Sequence, residues 1–289
     1  MKPYLTHVDA ATLAAHLDAP DWLVIDVRHQ LADPEYGERA YAAAHVPGAR
    51  FLHCDRDLSG MVSGGNGRHP LPDPAVFAAR MAGLGLAPTT QVVVYDDAQG
   101  MIAGRLWWLL RWLGHEAVAL LDGGWAAWLA AGGQIAAGAA DAPAAGTKTP
   151  QPASTVAVPR PGLTVDADFV QKNLSTVNMC LVDARSPDRY RGENETIDPV
   201  GGHIPGARNR FFKDNLLPDG RFKPAAVLRA EWLSLLAGAA PEQVVHQCGS
   251  GVSACLNLVA MEIAGLPGAR LYPGSWSEWC ADPARPLAR

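Results

Sequence analysis

The 289 residues, 48% hydrophobic and 18% charged, exceed what one hydrophobic core usually organises and are too apolar for a disordered polymer, so two α/β domains are expected. The formal net charge of −5 gives no footprint for nucleic acid or an anionic membrane, and no apolar run is long enough to span a bilayer. Cys54, Cys180, Cys248, Cys255 and Cys280 make an odd number with no CxxC pair or zinc-ligand spacing; free thiols in a reducing cytoplasm and no bound metal are expected. The first residues lack a positive segment followed by an apolar one, so no secretory signal is expected.

Taken in chain order, WLVIDVR at 22–28 reads as a buried strand, and HVPGAR at 45–50 as the turn that follows. AVFAARMAGLGL at 75–86 has helical spacing, VVVYDDAQG at 92–100 is a second strand running into a loop, and AGRLWWLLRWLG at 103–114 is a helix. Its Trp107, Trp108 and Trp112 are expected to pack the core. LLDGGWAAW at 120–128 closes the series.

Residues 136–162 are rich in Ala, Pro, Gly and Thr, which is linker composition. The series then repeats in the same order: CLVDAR at 180–185, HIPGAR at 203–208, VVHQCGSGV at 244–252 and LYPGSWSEW at 271–279. The expected boundaries are a first domain over 1–137, a linker over 138–160 and a second domain over 161–289. Continuous apolar strands alternating with helices predict, in each, a mainly parallel sheet flanked by helices.

The second copy carries the chemistry. QVVHQ, then Cys248 heading a tight glycine-containing loop, then SACLNLVAMEIAG, is a strand, loop and helix in succession. That arrangement turns backbone N–H groups and the positive end of a helix dipole toward the sulfur, and cysteines so placed can have pKa values lowered to roughly 3.5–7.5. Gly249 and Gly251 let the backbone curl inward, while the Ser250 and Ser253 hydroxyls can donate to sulfur or to a bound anion. Cys54, Cys180, Cys255 and Cys280 read as packing residues. GSGVSA at 249–254 formally matches a dinucleotide fingerprint, but it comes late in its repeat and lacks the acidic residue about twenty positions on. A cysteine phosphatase loop needs an arginine where Ala254 stands.

Together the two HxPGAR segments, CGSGVSA, DGGWAAW and PGSWSEW make the whole chain resemble a tandem-domain rhodanese of the thiosulfate and 3-mercaptopyruvate sulfurtransferase group. The resemblance implies two rhodanese-like domains and a sulfane sulfur carried as a Cys248 persulfide from a small-molecule donor to cyanide, a thiol or a thioredoxin-like acceptor, without a cofactor. Asp96 stands where Cys248 stands in the other copy, and a carboxylate cannot form a persulfide, so the first domain is expected to be silent. The neutral Gly249–Ser250 pair resembles the 3-mercaptopyruvate branch and offers a dianion no counter-charge within the loop.

By the same resemblance Ser250, His69 (in RHPLP) and Asp55 (in FLHCDRD) form a catalytic relay with Cys248. The loop residues Gly249, Gly251, Val252 and Ser253 line the donor site with Arg189 (in DRYRG). A second arginine of the family falls at or near Thr196 and is missing; Arg185, Arg191, Lys213 and Arg221 are the candidates to replace it. His45 and His203 are read as structural. A competing reading is a protein-to-protein persulfide relay with little small-molecule turnover.

Overall fold

The computed structural model describes residues 2–139, 158–174 and 176–289; the middle of the linker expected at 138–160 lies outside them. The chain divides into two compact units: Met1–Gly60 with Pro72–Arg160 and Pro218–Arg221, and Met61–Leu71 with Pro161–Leu217 and Phe222–Arg289. Met61–Leu71 therefore packs with the second unit although it lies in the first repeat.

In the first unit five strands form one sheet, in the order His7–Val8, Val118–Leu121, Gln91–Tyr95, Trp22–Asp26 and Arg50–Phe51, every neighbouring pair parallel. Gln91–Tyr95 is buried at every position, which explains why it reads as an unbroken apolar run rather than an alternating one. The helix Ala103–Trp112 buries Trp107, Trp108 and Trp112, as its composition predicts.

The second unit repeats the plan with four parallel strands in the order Arg208–Asn209, Cys180–Asp183, Val244–Gln247 and Arg270–Leu271. A single parallel bridge between Thr164 and Leu271 stands where the first unit has its edge strand His7–Val8. Among the described residues no helix is long and apolar enough to cross a membrane.

The recurring motifs are one structural device used twice. Arg28 closes on Asp26, hydrogen-bonds the Ala44 carbonyl at 2.6 Å and lies 4.7 Å over Trp125. Arg185 does the same with Asp183, with the Gly202 carbonyl at 2.7 Å and with Trp276 at 4.8 Å. A buried carboxylate is tolerable only when paired, and each guanidinium also ties the turn before HxPGAR to the aromatic at the end of the repeat. His45 and His203 are stacked on Tyr41 and Tyr190 and bonded through Nδ1 to those residues' carbonyls, which is the structural part expected of them.

Candidate active site

The strand Val244–Gln247 ends directly at Cys248, and the helix Ala254–Ile263 starts six residues later with Ser253 at its N-cap. Cys248 is only 2% exposed. Its backbone is fixed from both sides: its N–H donates to Ser275 Oγ at 3.1 Å, and its carbonyl accepts from Trp276 N–H at 3.0 Å. Ser275 holds a left-handed backbone, φ 55°, and its hydroxyl in turn donates to the Tyr272 carbonyl at 3.0 Å. The Gly249 carbonyl accepts from Ser277 N–H, and Gly251, at φ 76°, passes so close to the Pro273 carbonyl that a Cβ there would overlap it.

The equivalent loop of the first unit shows what such a curl holds. Asp96 occupies the position of Cys248; its carbonyl accepts from Trp125 N–H at 2.9 Å, and Gln99, at φ 59°, matches Gly251. The Asp96 carboxylate accepts four backbone N–H groups, from Ala98 and Gly100 on one oxygen and Ile102 and Ala103 on the other, at 2.8–2.9 Å. Burial pushes its carboxyl up, and the four donors act against that shift by favouring the anion. In the second unit the amides of Ser250 and Val252 match those of Ala98 and Gly100. Among the described residues they donate to no other protein group.

Of the residues singled out in sequence, Cys248, Gly249, Ser250, Gly251, Val252 and Ser253 lie in this one loop, and His69 reaches it. His69 Nδ1 is 2.7 Å from Ser250 Oγ, both side chains being buried. Asp55 belongs to the first unit, where its carboxylate is 3.9 Å from His29 Nε2. His29, Cys54 and Asp55 are a trio with metal-ligating atoms within 4.8 Å of one another. Burial pushes the Cys54 thiol up to about 12, so a metal would first have to displace its proton. Burial likewise raises Cys180, and takes Cys280 up to about 11, in keeping with their reading as packing residues.

Arg189 lies beside Gly249, bound to Glu195 through Nε and Nη2 and to Asp198 at 3.4 Å. Of the four candidates for the missing arginine, Arg185 shares the Glu195 carboxylate with Arg189 and is also bound by Asp183 and the Gly202 carbonyl. Arg191 pairs with Glu193 at the surface, Lys213 lies over Phe211 and Phe212, and Arg221 belongs to the first unit, paired with Asp219. The cation that does reach Gly249 is Arg68, which sequence reasoning passed over although it directly precedes His69. Ser275, inside the PGSWSEW motif, and Asp198 were missed as well; no local pattern marks Asp198.

The sequence matches the model of the rhodanese-like domain twice, over residues 9–131 and 166–282. The chain belongs to the rhodanese family. A probable 3-mercaptopyruvate sulfurtransferase of Pseudomonas aeruginosa is 49% identical over 281 residues, covering 96% of each chain. The thiosulfate sulfurtransferase of Mus musculus is 32% identical over 267 residues, covering 90% of this chain and 85% of its own. Among solved structures, the 3-mercaptopyruvate sulfotransferase SseA of Escherichia coli superposes with a TM-score of 0.78 at 30% identity, over 94% of this chain and 99% of that one. Within the rhodanese family these relatives place the chain among the sulfurtransferases.

Proposed function

We propose that Cys248 takes a sulfane sulfur from 3-mercaptopyruvate, or from thiosulfate, holds it as a persulfide and passes it to cyanide, a small thiol or a thioredoxin-like protein. One observation carries this reading: Cys248 occupies the position at which the sister loop holds the Asp96 carboxylate with four amide N–H groups. A loop of that shape stabilises negative charge, and here its occupant is a nucleophile.

The reaction is a ping-pong exchange. With thiosulfate, the Cys248 thiolate attacks the outer sulfur, the S–S bond breaks and sulfite leaves with the bonding pair. With 3-mercaptopyruvate, the thiolate attacks the mercapto sulfur and the C–S bond breaks toward carbon. The proton originally on that sulfur ends on the methyl carbon of pyruvate. Ser250 and His69, already hydrogen-bonded to each other, form the route by which it moves. Either way the product on the enzyme is an anionic persulfide, whose charge the loop amides and the start of the helix Ala254–Ile263 spread. The acceptor then attacks the outer sulfur and restores the thiolate. Five cysteines, all free, suit the reducing cytoplasm in which such an acceptor is maintained.

The 49% identical relative favours 3-mercaptopyruvate as the main donor. Comparison of kcat/KM for the two donors on one preparation decides it, with a higher value for 3-mercaptopyruvate expected. Intact-protein mass spectrometry after donor exposure tests the intermediate: one added sulfur, removed by cyanide and absent from Cys248→Ser. If the adduct forms equally well in that variant, the proposal fails.

A further inference from the structure

Judged by its sequence, the catalytic loop is electrically neutral; in space it is not. The point from which a side chain at position 249 would project lies 2.9 Å from Arg68 Nη2 and 3.6 Å from both terminal nitrogens of Arg189. Two guanidinium groups thus meet over the backbone of the residue that follows the nucleophile. Asp198 holds them together, one oxygen bound by Arg68 Nη1 and the other 3.4 Å from Arg189 Nη2. Glu195 occupies Nε of Arg189 and shares its Nη2.

What these carboxylates leave unused faces Gly249. Among the described residues, Arg68 Nη2 and Arg189 Nη1 have no protein acceptor, and Arg68 Nε is buried with no hydrogen-bond partner. Both side chains are still partly open, 28% for Arg68 and 20% for Arg189, so a small solute can reach them. The backbone of Arg68 is also fixed, its N–H donating to Ser277 Oγ at 3.1 Å, while Ser277 N–H donates to the Gly249 carbonyl. Its position is therefore set by the same element that fixes the catalytic loop.

We infer that Arg68 is the second guanidinium of the donor site and that, with Arg189, it forms a fork over Gly249 for the oxyanionic end of the donor. The inference rests on the reading of Cys248 as the sulfur carrier. The ligand class is a small anion with at least two oxygens in one plane, such as the carboxylate of an α-keto acid, or two oxygens of a sulfur oxyanion, because two guanidinium heads can each give such a group a charge-assisted hydrogen bond. Asp198 takes one nitrogen of each head and leaves Arg68 Nη2 and Arg189 Nη1 for the donor. The sequence position left empty at Thr196 is thereby filled from a segment more than a hundred residues earlier.

The test separates donor loading from sulfur discharge. In single-turnover loading followed by mass spectrometry, Arg68→Gln is expected to raise the donor concentration for half-saturation about ten- to a hundredfold, the loss of one charge-assisted hydrogen bond. Discharge of an already formed persulfide to cyanide should change less than loading does. Arg68→Lys keeps a cation beside Asp198 and gives the reading should Arg68→Gln not fold; about a tenfold rise is expected, since the ammonium lacks the planar fork. Asp198→Asn removes the internal carboxylate and leaves both guanidinium groups, so half-saturation should stay level or fall. A shift under threefold in both Arg68 variants overturns the inference, as does an equal loss of donor affinity in Asp198→Asn, which would make the ion pair a structural tie. If wild-type protein forms no adduct at all, it is the Cys248 reading that has failed.

Discussion

His69 Nδ1 and Ser250 Oγ lie 2.7 Å apart although 181 residues separate them in the chain. The contact exists because Met61–Leu71 packs within the second unit, where Gly67 approaches the backbone of Gly274 and Arg68 N–H is held by Ser277. A hydroxyl paired with an imidazole beside a reacting sulfur moves a proton that neither moves well alone. Ser250→Ala and His69→Asn are each expected to lower turnover with 3-mercaptopyruvate by about a hundredfold, in the usual range of general acid–base catalysis. The double variant should be little worse than either single one, since the two side chains act as a unit. Fully multiplicative losses would show that they act independently.

Asp96 gives a second expectation, in the silent unit. Removing its carboxylate leaves four backbone N–H groups around a small void, a buried-polar penalty on the order of 3 kcal/mol. Asp96→Ala should therefore lower the urea midpoint clearly. It should also open the curl to an external anion, so that sulfate restores more stability to the variant than to the wild type at matched ionic strength. Equal salt effects on both proteins would mean that the emptied loop does not hold an anion.

Much of this architecture is legible in the sequence because the repeat is carried by residues with obligatory partners. DVR needs its tryptophan and DAR needs its own, so motif order reports fold order. The loop after Val244–Gln247 is legible for a similar reason: Cys, Gly and Ser at fixed offsets between a strand and a helix leave few conformations. Arg68 and Asp198 are not legible. Their roles depend on a segment of the first repeat joining the second unit, and nothing in NGRHPLP or ENETIDP records which unit each packs against. The loop's own residues are neutral, and the positive charge at Gly249 arrives from elsewhere in the chain.

His246, in the strand that ends at Cys248, predicts how stability depends on pH. It is fully buried, edge-on to Trp232, and has Met261 Sδ at 3.1 Å from Nε2; burial takes its pKa from 6.5 down to about 3. Below pH 6.5 the unfolded chain binds a proton here that the folded chain refuses. The contribution is thus complete above pH 6.5 and is lost as pH falls toward 3. Between pH 7 and pH 5 it amounts to about 2 kcal/mol. Urea titrations at these two values should show His246→Gln losing less stability than the wild type by about that amount. Parallel loss in the two proteins would mean that the imidazole is protonated in the native state.

Gly251 separates two reasons for a glycine. Its φ of 76° lies in the left-handed region, but Gln99 takes φ 59° at the equivalent place in the first unit, so the conformation alone costs a side chain only about 1–2 kcal/mol. The stronger constraint is the Pro273 carbonyl, a backbone group that a Cβ at 251 would overlap and that cannot rotate away like the end of a side chain. Gly251→Ala must therefore push the segment Pro273–Ser275 outward, and with it the Ser275 hydroxyl that holds Cys248 N–H. At Gly249 the nearest atoms are the ends of Arg68 and Arg189, which can swing aside. Gly249→Ala should accordingly keep its urea midpoint close to wild type while weakening donor binding. Gly251→Ala should lose more than about 2 kcal/mol and slow persulfide formation even at saturating donor. Equal stability of the two variants would show that the Pro273 contact yields more easily than a packed backbone should.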